Sequence, residues 1–268
     1  MGTYNIQLRG GMDAKATFSC GQAFRWRQDG DAFVGIAGGY TAQVTMNEDT
    51  LTIKTDGNEN FWRHYFADEL DYNALRNTFC EDERLAPCVQ YSTGIRVLHQ
   101  PFFETLCTFI ISQNNNIPRI TGIVSRLCEA FGDKLTSGEY AFPTPQIMAQ
   151  QTIESLAPLR SGFRAKYLLD AAHKVASGEV SEQVLAQLTT EEARNKLISI
   201  YGVGVKVADC TLLYGLARNE VVPIDVHMRR AMAELFPTGL TEKTLPYAGI
   251  AQQYIFNYTR LKGTELKA

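Results

Sequence analysis

The sequence predicts an α+β protein: a small N-terminal antiparallel sheet attached to a larger, all-helical body. Two patterns carry this reading. Between Tyr4 and about Asp56, apolar and polar residues alternate with the period of half-buried strands. Turn signals break the alternation at Gln28-Asp29-Gly30, Gly38-Gly39 and Asn47-Glu48-Asp49. From Phe61 onward the spacing is helical, with Phe102, Phe103, Leu106, Phe109 and Ile110 on one face and Ile120, Ile123, Val124 and Leu127 on the next.

The strand region reads as an antiparallel meander. Prolines at 118, 143, 145 and 158 punctuate the helical half, without an internal repeat or a low-complexity linker. Packed helices with short connections follow from that pattern. The division expected is residues 1–95 for the sheet domain with trailing helices, and 96–268 for the helical body.

Composition narrows the function classes. At 268 residues, 45% hydrophobic and 21% charged, the chain has ordinary globular material and enough of it for a sizeable core. A net charge of −3 argues against a protein that coats nucleic acid non-specifically, but a local basic groove on an acidic body is compatible with it. Six cysteines without a C-x-x-C pair show neither a zinc site nor an iron–sulfur ligand set, and read as reduced thiols of an intracellular protein of the cytoplasm, nucleoid or nucleus. No apolar run approaches the roughly 20 residues of a membrane span, and no signal-peptide core is present near Met1.

The densest chemical signal is ISIYGVGVKVADC, residues 198–210. Thr189 and Glu192 form a capping-box pattern, so a short helix starts there and runs to about Ser199. Gly202 and Gly204 end it, and a second helix runs from about Val205 through Leu216. Glycines let this turn approach another backbone, and the unpaired amides of the second helix's first turn suit a phosphate. Lys206 lies in that turn, where the helix dipole disfavours its cationic form and helps supply a free amine for nucleophilic attack. Taken alone, the motif is weak, and the same lysine reads more readily as a phosphate contact or a surface residue.

A second stretch, VVPIDVHMRRA at 221–231, places Asp225 between an extended segment and a helix starting near Val226. Its carboxylate either caps that helix or turns toward Lys206, where it would stabilise positive charge developing on a sugar.

These segments resemble those of the helix-hairpin-helix DNA glycosylases, specifically the 8-oxoguanine DNA glycosylase/AP-lyase branch. YGVGVKVADC is similar to that family's hairpin and VPIDVHM to its aspartate segment. CGQAFRW (20–26), SQNNNIPRITGIVSRLCEAFG (112–132), GFRAKY (162–167) and AQQYIF (251–256) resemble family segments in the same order, so the likeness spans nearly the whole chain.

The resemblance implies a bifunctional enzyme on double-stranded DNA, excising 8-oxoguanine preferably opposite cytosine, with β-elimination of the strand. Lys206 would be the nucleophile at C1′ and Asp225 its electrostatic partner. The main-chain carbonyl of Gly21 would accept from N7–H, which 8-oxoguanine has and guanine lacks; Gln252 would read the Watson–Crick edge, with Phe256 and Cys210 against the two base faces. Asn114 would fill the gap left by the flipped nucleotide, Arg119 and Arg164 would contact the opposite cytosine, and Phe163 would wedge the stack. Gly202, Gly204 and His227 would contact phosphates, with Arg160 and Lys166 adding to the basic surface.

No cofactor is required by this chemistry. A structural cation at the hairpin carbonyls is compatible with it, an iron–sulfur cluster is not expected, and the chain is expected to act as a monomer. Gln113 and the order Ile117-Pro118-Arg119 depart from the family pattern beside the insertion loop. Two rival readings remain open at this point: an alkylpurine-type glycosylase, which would use the aspartate without a lysine nucleophile, and a non-catalytic helix-hairpin-helix module binding DNA through charge alone.

Overall fold

The computed structural model describes residues 1–265. Five strands, β1 (Gly2–Gln7), β2 (Trp26–Asp29), β3 (Ala32–Ala37), β4 (Tyr40–Asn47) and β5 (Thr50–Thr55), form one antiparallel sheet in the order β1-β5-β4-β3-β2. The three turn signals fall at the three hairpins. Gly38 and Gly39 both take left-handed φ, 59° and 80°, between the paired residues Ala37 and Tyr40, as a tight two-residue hairpin requires.

Only β2 to β5 form a meander. β1 returns to the outer edge of β5, and a helix, Ala14–Ser19, interrupts the region that alternation assigned to strands. Six residues are too few to show a helical period, but Asp13 caps it, its side chain accepting from the Ala16 amide at 2.8 Å.

One face of the sheet buries Ile6, Val44, Leu51 and Ile53 against Trp62 and Tyr65 of the helix Glu59–Tyr65 and against Phe18 and Phe66. A second, larger core occupies the helical body. Tyr72, Leu75, Phe79, Leu85, Val89, Ile95 and Val97 belong to this second core although they follow directly on the sheet.

At its centre runs the helix Phe102–Ser112, with nine of its eleven residues buried. It crosses the helix Val205–Gly215, where a Cβ on Gly215 would stand only 3.2 Å from Thr105 Cβ, so glycine permits the close approach. Inside this helix Thr105 and Thr108 hydroxyls donate back to the carbonyls of Pro101 and Thr105. Glu104 pairs with Arg25 at 3.5 Å, and burial pushes its carboxyl above the usual range while the guanidinium opposes that.

Arg96 joins the two parts. Its guanidinium is fully buried, donates to the carbonyls of Phe66, Ala67, Leu70, Arg9 and Gly11, and lies 4.0 Å over the Tyr72 ring. Five of the six cysteines are buried as free thiols and Cys80 is exposed. Among the described residues no helix is long and apolar enough to cross a membrane.

Candidate active site

The hairpin forms as the glycines dictate. Thr189 and Glu192 make the capping box of the helix Thr190–Ile198, and the second helix starts at Val205 with Gly204 as its N-cap. Gly202 has φ 78°, and a Cβ there would stand 2.4 Å from the Tyr167 ring, so both conformation and space demand glycine. Gly204 has φ −100° and nothing within 4 Å of its Cβ position, which leaves its side of the turn open. No side chain caps this helix, so its first-turn amides remain available to an anion. Tyr201 and Val205, apolar yet 55% and 57% exposed, flank that opening.

Lys206 turns inward from this first turn. Its Nζ lies 4.8 Å from the centre of the Phe109 ring, and Cys210 follows one helical turn on. Burial pushes the Cys210 thiol up, and the lysine beside it opposes the shift. Phe109 in turn stacks on Tyr214, with ring centres 5.3 Å apart.

Asp225 caps the helix Val226–Leu235: Oδ1 accepts from the Met228 amide at 2.7 Å. The cap and the site are one residue. Asp225 also lines the same cavity as Lys206, so a carboxylate fixed at one oxygen shares a chamber with an amine.

That cavity, about 500 Å³, is within the range of small-ligand pockets. Gly21, Lys206, Cys210, Asp225, Gln252 and Phe256, drawn from four separate stretches of the sequence, all line it. A larger cavity, about 640 Å³ between β3, β4 and the helix Ile117–Phe131, contains none of them. The smaller one has the amine and the carboxylate.

Its walls are preset. Gly21 holds φ 93°, and the buried Gln22 beside it fixes this turn by donating to the carbonyls of Thr17 and Arg96 and accepting from the Leu98 amide. Gln253 donates to Gln252 Oε1 at 3.0 Å and to the Tyr214 hydroxyl, which orients the Gln252 amide. His227, instead of standing free, accepts or donates at Thr259 Oγ1 (3.0 Å) and sets its ring edge against Phe256.

The three asparagines divide their work. Asn115 Nδ2 donates to the Ile111 carbonyl and closes the helix Phe102–Ser112, while Asn116 Oδ1 accepts from the Arg119 amide and opens the helix Ile117–Phe131. Between them Asn114 is exposed at φ 47°, with Arg119 also exposed nearby in the chain. Asn115 and Asn116, not Asn114, line the cavity. Arg164 is placed inward: 2% exposed, its guanidinium donates to the carbonyls of Gln113, Asn114 and Ser161 and lies 4.3 Å from the Phe163 ring. Phe163 itself is 50% exposed. Thus Arg164 clamps the turn that presents Asn114.

Phe109 and Gln22 were not singled out by sequence reasoning as parts of the site. Both look like core residues in a linear pattern, and only the fold puts one under Lys206 and the other behind Gly21.

Residues 6–106 match the family model described as the 8-oxoguanine DNA glycosylase N-terminal domain, and residues 107–245 match that of the HhH-GPD superfamily of base excision DNA repair proteins. The fold of MBOgg1, solved with a low-affinity DNA ligand, is similar with a TM-score of 0.91 and 35% identity, covering 97% of this chain and 96% of that one. The chain belongs to the 8-oxoguanine DNA glycosylase family. The 8-oxoguanine glycosylase/lyase of Clostridium acetobutylicum, solved with double-stranded DNA containing cytosine opposite 8-oxoguanine, has a TM-score of 0.86 and 32% identity over 94% of this chain and 93% of its own. The N-glycosylase/DNA lyase of Saccharomyces cerevisiae is 38% identical over 152 residues, 51% of this chain but only 40% of the yeast protein's length.

Proposed function

We propose that this chain is a DNA glycosylase and AP lyase that excises 8-oxoguanine from double-stranded DNA. The observation that carries the reading is Lys206 and Asp225 in one cavity with Phe256 and Cys210 among its walls. A flipped purine suits such a chamber, with its sugar presented to the amine. Family membership supports the substrate, and so do the 8-oxoguanine glycosylase/lyase and N-glycosylase/DNA lyase among the relatives.

The free amine of Lys206 bonds to C1′ of the flipped nucleotide while the N-glycosidic bond breaks, its electron pair leaving with the base, which then takes up a proton. Opening of the sugar ring gives a Schiff base. Loss of a 2′ proton then expels the 3′ phosphate by β-elimination. Asp225 stabilises the positive charge that grows on the sugar in the first step. An amine and a carboxylate supply all of this, so no cofactor is needed.

In the pocket, the Gly21 carbonyl accepts from N7–H of the lesion, Gln252 meets its Watson–Crick edge, and Phe256 and Cys210 cover its faces. On the DNA side, the amides at Gly202 and Gly204 hold phosphate, with His227 beside the pocket. Asn114 fills the vacated stack, Phe163 wedges it, and Arg119 reads the opposite cytosine, together with Arg164, which also sets the Asn114 turn.

The test is borohydride trapping on a duplex carrying 8-oxoguanine opposite cytosine. Wild-type protein yields a covalent adduct and Lys206→Gln yields none. No wild-type adduct, or an equal one from the variant, overturns the mechanism. Repeating the reaction with each opposite base tests the cytosine preference.

A further inference from the structure

A second cluster of side chains lies away from this chamber, where the sheet meets the helical body. His64 stands in the last turn of the helix Glu59–Tyr65, Glu69 follows in the next turn of chain, and His99 lies in the extended segment before the helix Phe102–Ser112. One ligating atom of each lies within 4.8 Å of the other two, and none of the three lines the active-site cavity. His99 is only 4% exposed, yet neither ring nitrogen has a hydrogen-bond partner. Its Nδ1 stands 3.5 Å from Glu69 Oε1. A buried imidazole left in this condition is uncommon and costly, because its polar atoms have lost water without replacement.

We propose that His64, Glu69 and His99 form a site for a divalent transition ion of the zinc type, with water completing the coordination. Two imidazoles and a carboxylate are a ligand set that zinc accepts, with a fourth position open. Bonds of about 2.0–2.1 Å in a tetrahedron put ligand atoms about 3.4 Å apart. The His99–Glu69 pair already has nearly that spacing at 3.5 Å. The wider separations close by rotation of His64 and Glu69, whose side chains are exposed.

The backbone under the ligands is fixed. The His99 amide donates to the Tyr65 carbonyl at 3.0 Å, the Ala67 amide to the His64 carbonyl at 2.9 Å, and Arg9 donates to the Glu69 carbonyl at 2.7 Å. Arg96 is the nearby fixed cation, and its guanidinium is taken up by five carbonyls, three of them at Phe66, Ala67 and Leu70 in the same turn. The ion would tether the end of the helix Glu59–Tyr65 to the segment leading into the helix that ends at the Asn114 turn.

The experiment strips the full chain with a chelator and titrates it with Co²⁺ and then Zn²⁺, following Co²⁺ absorption and calorimetric stoichiometry. One ion per chain, with a histidine-ligated Co²⁺ spectrum displaced by Zn²⁺, is expected. Glu69→Gln and His64→Ala change exposed positions and leave the fold intact by circular dichroism, while affinity falls at least ~10–100-fold. Failure of wild-type protein to bind either ion at micromolar concentration overturns the proposal. So does binding that both variants retain, which would place the ion elsewhere. Adduct formation by Lys206 is a separate readout, and its loss or survival bears on the active site alone.

Discussion

Asp225 offers a test in which structural and chemical roles separate. Its Oδ1 accepts one hydrogen bond, 2.7 Å from the Met228 amide, and that bond is the cap of the helix Val226–Leu235. Loss of such a cap costs about 1 kcal/mol, or about 2 °C in the unfolding midpoint of a chain this size. Asparagine caps as well as aspartate, so Asp225→Asn is expected to unfold within about 1 °C of wild type, whereas Asp225→Ala loses the full amount. The charge is another matter. A carboxylate about 4 Å from a developing cation, at an effective dielectric of about 20, is worth about 4 kcal/mol. That corresponds to about a thousandfold in rate. Both variants should therefore lose two to three orders of magnitude, about 10²–10³, in single-turnover excision of 8-oxoguanine, although only one loses stability. Melting curves and quenched single-turnover assays on the same preparations decide the matter. Excision by Asp225→Asn at the wild-type rate would reduce Asp225 to a helix cap and refute the electrostatic role.

The two hairpin glycines should respond unequally: Gly202→Ala forces a Cβ to 2.4 Å from the Tyr167 ring at φ 78° and should cost about 2–4 kcal/mol in denaturant unfolding. Gly204→Ala meets nothing within 4 Å and should cost under about 1 kcal/mol, its effect appearing instead in duplex affinity at low salt. Arg194→Met leaves the Asp209 carboxylate, bonded at 2.6 Å and only 7% exposed, without its partner, and should destabilise by about 3 kcal/mol, with Asp209→Asn in the same chain recovering part of the loss. Arg164→Met removes charged donors from three carbonyls and should cost about 3 kcal/mol, with faster amide exchange at residues 113–116; unchanged exchange there would show that the turn needs no clamp.

What could be read from the linear sequence was whatever depends on neighbours in the chain. The Gly38-Gly39 hairpin, the Thr189 capping box and the Gly202 turn are local devices, and their residues announce them. The helix Ala14–Ser19 is equally local but too short to display a period, and Asp13 was its one signal. Phe109 and Gln22 escaped notice because an apolar stripe, or a lone glutamine, carries no mark of the cavity it faces. Arg164 shows the other limit. An arginine beside an exposed Phe163 reads as a surface cation, and only tertiary structure reveals three carbonyls waiting for it. The resemblance to known glycosylases brought Gly21, Lys206, Asp225 and Gln252 together before any coordinates did; periodicity had no means of doing so.

Arg96 has a consequence for how the polypeptide is divided. It stands one residue beyond the end of the 1–95 segment, yet its guanidinium occupies carbonyls at Arg9, Gly11, Phe66, Ala67 and Leu70. Cutting the chain between 95 and 96 would take the guanidinium away from five carbonyls on one fragment and strand a buried cation on the other. A boundary at 95/96 therefore runs through one hydrogen-bonded cluster rather than between two.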